Sequence, residues 1–498
     1  LHTIRIKLHP LGKELTVERG SSLIDVLHEF GVEFPCGGKG DCGKCKVKIL
    51  QGEIPLDTVH SSRLQELGLP GEWRLACMSF VNEDIVLEVG QYEAMIQADE
   101  SLFPFEPGEG YGVAVDLGTT TLVAQLMDLT SAKVLAVETG LNPQRRWGSD
   151  LVSRLEAALN GSKEELTMVI REEIGEMLLK LISGRNVRID RVVIVGNSVM
   201  HHLFSGSDIR PLSFFPFESP DLGIKHFNAG ELEWDIACNN ISFYPCIGSF
   251  VGSDILAGIH ATGMWRRKEI SVLVDLGTNG EIVAGNCDRL LCASTAAGPA
   301  FEGARISRGM LATTGAISTV EQVGTGINCR VIGNVPAVGI CGSGLIDAVA
   351  VLLDRGDLGD FGEILSGDPE VTLAHNVSLT ARDIQEFQLA KAAIATGLDI
   401  ILRKLGVHAE EVARVYIAGA FGNYINLEKM VRTGMMEFTP GHFRKLGNTA
   451  LMGAKMFLFS EEGAADPVLA LTRHVSLESE EDFQDIFVEN LTFNRSSS

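Results

Sequence analysis

Basic residues are scarce in this chain: 42 Lys and Arg stand against 65 Asp and Glu, a formal charge of −23 at pH 7. Nucleic acid and anionic lipid need clustered cations to displace counterions, so neither is an expected partner. Aromatics make up 6% of the residues, while 45% are apolar and 54 are glycine, a balance of α/β proteins with many strand-to-helix turns and not of fibrous or disordered chains. No charged-then-apolar leader opens the sequence, and secretion is not expected. A long uninterrupted apolar run is also missing. The longest stretch, Val335–Leu353, is broken by Pro336, Asp347 and three glycines, and reads as strand, turn and helix and not as a membrane span. At 498 residues the chain exceeds what one core serves, so two or three domains are expected.

Cysteine usage is uneven. Cys36, Cys42, Cys45 and Cys77 crowd the first 77 residues, and Cys238, Cys246, Cys287, Cys292, Cys329 and Cys341 are scattered in apolar surroundings. This is the pattern of a cytoplasmic metal site plus buried thiols, without a disulfide framework. Short alternating strands at Thr3–Leu8 and Glu14–Glu18, a helix at Leu23–Phe30 and a closing strand at Asp84–Val89 surround the C-x5-C-x2-C spacing and the later Cys77. An iron-sulfur cluster needs four thiolates whose charge is spread by backbone amides, and Gly37, Gly38, Gly40 and Gly43 let this loop turn its amides inward. Three close ligands and one distant one suit a [2Fe-2S] centre. Zinc is the alternative, although paired C-x2-C knuckles would then be expected and one is present. The segment resembles the plant-type and vertebrate-type [2Fe-2S] ferredoxins of the β-grasp fold over residues 1–92, with a first spacing nearer the vertebrate loop.

Residues 93–111 lose strand periodicity, gather acids, Pro104 and Pro107, and read as a tether. Beyond it lies a duplication, Val113–Ala124 (VAVDLGTTTLVA) and Val272–Ala284 (VLVDLGTNGEIVA). In each copy an apolar run ends in Asp-Leu-Gly-Thr and leads into another apolar run. Gly118, Thr119, Thr120 and Thr121 can hold phosphate oxygens, and Asp116 can hold Mg²⁺ directly or through water. Asp275, Gly277, Thr278, Asn279 and Gly280 offer the same chemistry from an opposing wall, with Glu281 beside them. Glycine turns at Gly342, Ser343 and Gly344 and at Gly419, Gly422 and Asn423 can let backbone lie against adenosine. Asp116, Asp150, Asp275 and Glu281 are the carboxylates available for metal and water. Gln388 and Lys391, on a helix opened by Thr380, face either nucleotide or solvent. His201 and His202 read as packing or surface residues, and Ser294 and Thr295 as turn residues or as an oxygen donor at a cleft mouth.

The paired turns resemble the acetate and sugar kinase, heat-shock ATPase and actin superfamily over residues 112–477. The resemblance implies an α/β multidomain protein: a β-grasp ferredoxin domain (1–92), a linker (93–111), two ribonuclease-H-like, actin-like ATPase subdomains (112–265 and 266–477) and a C-terminal tail (478–498). The series NPQ (142–144), GSDLVSR (148–154), VGNSVMHHLFSG (195–206), DLGTNGE, AAGPAFEGARI (296–306), GSGLID, QLAKAAI (388–394), AGAFGNYI and GNTAL (447–451), behind a [2Fe-2S] domain, looks like the ATP-dependent reductive activators of corrinoid proteins. Some members carry an additional domain between ferredoxin and ATPase. Here the first phosphate turn follows the linker almost at once, which removes the basis for a homodimer built on that domain without excluding another.

The resemblance implies one-electron reduction of Co(II) corrinoid to Co(I) in a methyl-transferring system, coupled to ATP hydrolysis. It brings a [2Fe-2S] cluster, ATP and Mg²⁺, a corrinoid protein as partner and an upstream low-potential electron donor. Two other readings stand beside it: a small-molecule kinase regulated by a redox domain, and a non-catalytic iron-sulfur redox sensor. Activators of acyl-CoA dehydratases share the ATPase fold, but their cluster is expected at a subunit interface.

Overall fold

The computed structural model describes residues 3–9, 13–27, 40, 45–69, 71–89, 105–148, 150–277, 279–298, 300–301, 303, 305–310, 312, 315–332, 335–419, 425–461 and 463–493. Among them no helix is long and apolar enough to cross a membrane.

The N-terminal unit contains β1 (Thr3–His9), β2 (Lys13–Glu18), β3 (Lys46–Gln51), β4 (Trp73–Leu75) and β5 (Ile85–Val89) in one sheet, ordered β2-β1-β5-β3-β4. β1 alternates strictly, with Ile4, Ile6 and Leu8 buried, and pairs parallel to β5, whose Ile85, Leu87 and Val89 face the same core. The expected strands are present. The helix is described over Leu23–Leu27, and β3, β4 and the helix Thr58–Glu66 complete the unit.

The duplication is visible in topology. β6 (Tyr111–Leu117), β7 (Thr121–Asp128) and β8 (Lys133–Leu141) form an antiparallel meander. β9 (Ile189–Gly196) then pairs parallel to β6, β10 (Lys225–Phe227) lies at the edge, and β11 (Ile241–Phe243) pairs parallel to β9. In the second half β12 (Ser271–Leu276), β13 (Gly280–Gly285) and β14 (Leu290–Thr295) repeat the meander. An excursion follows through β15 (Ala316–Val323), β16 (Gly326–Val331), β17 (Gly339–Ile340), β18 (Glu370–Ala374) and β19 (Val377–Thr380). The chain returns as β20 (Arg414–Ala418), parallel to β12, β21 (Phe443–Gly447), parallel to β20, and β22 (Thr472–His474) on β14.

β6 and β12 read as apolar runs because both faces of each sheet are covered. Each run is interrupted at the same point, by Asp116 in β6 and Asp275 in β12. The apolar stretch Val335–Leu353 resolves, as expected, into β17, a turn and the helix Gly342–Arg355.

Two helices join the halves. Ser253–Thr262 follows β11, Thr449–Leu458 follows β21, and they pack on each other while the second also lies against β6 and β9. Their approach is close: a Cβ on Gly453 would lie 2.1 Å from the Ala257 carbonyl oxygen. The end of the tether is anchored, since Phe105 packs on Phe459 with ring centroids 5.0 Å apart, the Gly108 amide donates to Leu129, and Tyr111 already belongs to β6.

Candidate functional site: a carboxylate-lined cleft and a thiol pair

Both duplicated turns are hairpin ends. In the first, the Gly118 amide donates to the Thr121 carbonyl at 3.1 Å, and a Cβ on Gly118 would sit 2.6 Å from that oxygen, so a side chain does not fit. In the second, the Gly277 amide donates to Asn279 at 3.0 Å. The two turns face one cavity of about 380 Å³, of a size that holds a small ligand. Asp116, Gly118, Thr119, Thr120 and Thr121 line one side, and Asp275, Gly277, Asn279 and Glu281 another. Gly342, Ser343 and Gly419 reach the same cavity. Gly419 has φ +88°, and a Cβ there would lie 2.4 Å from the Leu276 carbonyl oxygen, which requires glycine beside the second turn.

Other residues singled out by sequence lie elsewhere. Gly344 packs on β15, where a Cβ would meet the Ile317 carbonyl at 2.2 Å, and Gly280 lies inside β13 against Thr295 Oγ1. Asp150 is not among the lining residues. It caps the helix Leu151–Ala157, accepting from the Ser153 amide at 2.9 Å and from its hydroxyl. Gln388 and Lys391 face neither nucleotide nor solvent. Gln388 Nε2 donates to Phe361 and Leu491 carbonyls at 3.0 Å each, and fully buried Lys391 donates to the Thr492 carbonyl and lies over the Phe493 ring. His201 and His202 are buried, hydrogen-bonded to Gly223, Ser198 and Ser219. Thr295 Oγ1 donates to the Gly280 carbonyl, and Ser294 Oγ to Glu281 at 3.4 Å. Thr278, Gly422 and Asn423 lie outside the described residues.

The electrostatics of the cleft are one-sided. Asp116, Asp254, Asp275 and Glu281 line it, and among the described residues no Lys, Arg or His does. Burial, partly offset by the Asn448 hydrogen bond, pushes Asp116 up to about 6. Asp275 rises to about 7 by burial and by repulsion from Asp254 and Asp116, and Asp254 to about 7, mainly by burial. Glu281 is held well above the usual carboxylate range by burial and by Asp254 and Asp275. A triphosphate entering such a cleft must bring cations with it. Among the described residues no three His, Cys, Asp or Glu side chains form a ready metal cage.

Three site residues escaped sequence reasoning. Asp254 comes from the first turn of the helix Ser253–Thr262, and nothing in its immediate sequence marks it. Asn448 caps the helix Thr449–Leu458 through its oxygen and donates Nδ2 to Asp116 at 2.6 Å, a bond between the two halves. Asn197 caps Ser198–Ser205 and donates to Thr119 Oγ1 at 3.0 Å. The last two lie within the quoted GNTAL and VGNS motifs, so an Asn at a strand-to-helix junction was the available signal.

In the N-terminal unit, Cys45 and Cys77 bring their sulfurs to 3.2 Å, and neither is in a disulfide. Cys77 sits in the 3₁₀ turn Ala76–Met78, which the Ala76 amide ties to the Cys45 carbonyl at 2.9 Å. Two thiols converging from β3 and β4 fit half of a four-thiolate cluster site. Cys36 and Cys42 lie outside the described residues.

Comparisons with known proteins agree along the chain. A 2Fe-2S iron-sulfur cluster binding domain family matches residues 6–82, the RACo middle region matches 111–267, and the C-terminal domain of RACo, the ASKHA domain, matches 269–498. The middle-region match thus covers the segment read from sequence as the first ATPase subdomain. The chain is 29% identical to the corrinoid activation enzyme RamQ of Eubacterium limosum, with 98% of this chain and 99% of that one covered. That alignment runs over 593 positions, more than this chain's 498 residues, so RamQ carries residues that this chain lacks. It is also 29% identical to a Methanosarcina barkeri reductase of the Co(II) methylated amine-specific corrinoid protein, over 77% of each chain. A solved reductive activator for corrinoid, iron-sulfur protein superposes with a TM-score of 0.69 at 26% identity, with 98% of each chain covered.

Proposed function

Because the chain belongs to the family of ATP-dependent reductive activators of corrinoid proteins, we propose that it reduces the Co(II) corrinoid of a methyl-transfer protein to Co(I) and hydrolyses ATP to do so. The observation that carries this reading is the coexistence, on one chain, of converging ferredoxin thiols and a cleft lined by four carboxylates and a phosphate turn. Cys36, Cys42, Cys45 and Cys77 would hold a [2Fe-2S] cluster, which when bound supplies one electron at a time. An upstream low-potential donor is its source of electrons.

In the cleft, Gly118 and Thr119–Thr121 take the phosphates, while Asp116 and Asp275 hold Mg²⁺ directly or through water. Gly277, Asn279, Gly342, Ser343 and Gly419 shape the rest of the nucleotide site. Asp254 and Glu281 remain for the attacking water, and their raised affinity for protons suits a group that accepts one near neutral pH. One-electron transfer costs about 1.4 kcal/mol for each ~59 mV of adverse potential. Nucleotide removes that cost indirectly: closure of the two halves on MgATP changes affinity for the Co(II) partner, and hydrolysis releases the Co(I) product. The Asn448–Asp116 bond and the close helix crossing at Gly453 are the contacts that closure would act on.

The test is anaerobic. Reduced, reconstituted protein is mixed with Co(II) corrinoid protein with and without MgATP, and Co(I) absorption is followed. MgATP-dependent Co(I) formation is expected. Equal reduction without nucleotide overturns the coupling, and accumulation of a phosphorylated metabolite supports the kinase reading instead.

A further inference from the structure

Three consecutive carbonyls of the first hairpin are held from behind by one segment of chain. The Gly118 carbonyl accepts from Asn142 Nδ2 at 2.9 Å, Thr119 from an Arg154 guanidinium nitrogen at 2.6 Å, and Thr120 from the Asn142 amide at 2.9 Å. A trans peptide points its N–H opposite its C=O, so pulling these oxygens back turns the amides of Thr119, Thr120 and Thr121 toward the cavity wall those residues form. Such successive amides make an anion-binding nest.

Arg154 is fully buried, and its guanidinium also donates to the Gly148 carbonyl at 3.0 Å and to Gln144 Oε1 at 3.3 Å. Among the described residues it enters no ion pair, so its charge lies one layer behind the turn, in a cleft that has no cation on its own surface. The second hairpin is built the other way. Asp275 faces Glu281 across the strands, where Asp116 in the first hairpin faces Val123. One turn therefore has a buried cation behind it, and the other carries two carboxylates.

We propose that Arg154 and Asn142 are positioning residues that aim the amides of the first hairpin at the terminal phosphates of ATP and lend them positive charge, leaving Mg²⁺ to Asp116 and Asp275 and the attacking water to Asp254 and Glu281. This rests on the reading of the cavity as a MgATP site. The NPQ and GSDLVSR segments thereby acquire a shared purpose, the support of one turn.

Calorimetric titration of the reconstituted full chain with ATP, ADP and adenosine, in the presence of Mg²⁺, tests it. Arg154→Met is expected to weaken ATP and ADP about ten- to a hundredfold while adenosine binds as before. Arg154→Lys, which keeps the charge but not the forked geometry, falls between. Both should retain the visible spectrum of the cluster. If Arg154→Met does not fold, Arg154→Lys decides alone. Equal losses for ATP and adenosine, or no loss, overturn the assignment. Wild-type protein that binds neither ATP nor ADP overturns the cavity reading and this inference together, whereas normal wild-type binding with unchanged variants overturns this inference alone.

Discussion

Asp275 illustrates how a buried carboxyl lining the cleft opposes stability. Its carboxyl binds a proton more tightly folded than unfolded, so its contribution to stability is fully present below the unfolded value near pH 4 and is lost as pH rises through about 7. At pH 8 without nucleotide it therefore opposes folding. Asp275→Asn is expected to raise the melting temperature of the nucleotide-free protein by roughly 2–4 °C, the size of a 1 kcal/mol gain. The same variant should lose ATP turnover and the further thermal shift given by MgATP, both read by calorimetry and phosphate release. Turnover at the wild-type rate would remove Asp275 from the site. His260 behaves oppositely. Burial lowers it to about 4, so it stays neutral in the folded protein, and its contribution is present above about 6.5 and lost as pH falls toward 4. His260→Gln should flatten the fall in urea midpoint between pH 6.5 and 4.5 relative to wild type. An unchanged profile would contradict the assigned protonation state.

At the scale of elements, the helix Ala381–Leu405 shows what periodicity reports and what it omits. Its start at Thr380 was legible, because the capping box with Asp383 is a local pattern of four residues. The fate of Gln388 and Lys391 was not, because their partners lie well away along the chain, at Phe361 and at Leu491–Phe493. The segment read as a C-terminal tail closes that helix, with Phe493 buried and Asn490 donating to Asp399 at 2.8 Å. Deleting residues 490–498 leaves a buried ammonium and amide without these acceptors, so a loss of about 2–4 kcal/mol is expected in denaturant unfolding of the ATPase part. The cluster spectrum should not change. The helix crossing gives a second prediction: Gly453→Ala must push the helices apart at Ala257 and should cost about 1–3 kcal/mol. If ATP turnover then falls more than binding, the crossing also takes part in closure.

At the scale of the molecule, a match to a 2Fe-2S cluster binding domain at residues 6–82 precedes, on one chain, the matches to the RACo middle region and ASKHA domain at 111–267 and 269–498. Covalent linkage makes any encounter between the two parts intramolecular, which raises the effective concentration of each for the other. Supplying residues 1–92 and 105–498 as separate chains at micromolar concentration should slow MgATP-dependent Co(I) formation about tenfold or more. Raising the concentration of either piece should restore it. A rate independent of concentration would mean that the units hold together without the tether.

The chain's local chemistry was readable directly: the cysteine spacing, the repeated Asp-Leu-Gly-Thr, and the strand periods that place Asp116 and Asp275 at equivalent strand ends. Apart from Cys77, each of these is a pattern of neighbouring residues, so order along the chain and order in space agree. Folding alone decided that Asp254 and Asn448 share a cavity with them, that Arg154 stands behind the first turn, and that Asp150 caps a helix. Those placements follow from parallel pairings and helix crossings between segments up to 332 residues apart, as Asn448 and Asp116 are. Such separations leave no periodic trace, because the sheet that closes them is specified by burial over its whole area and not by any one residue.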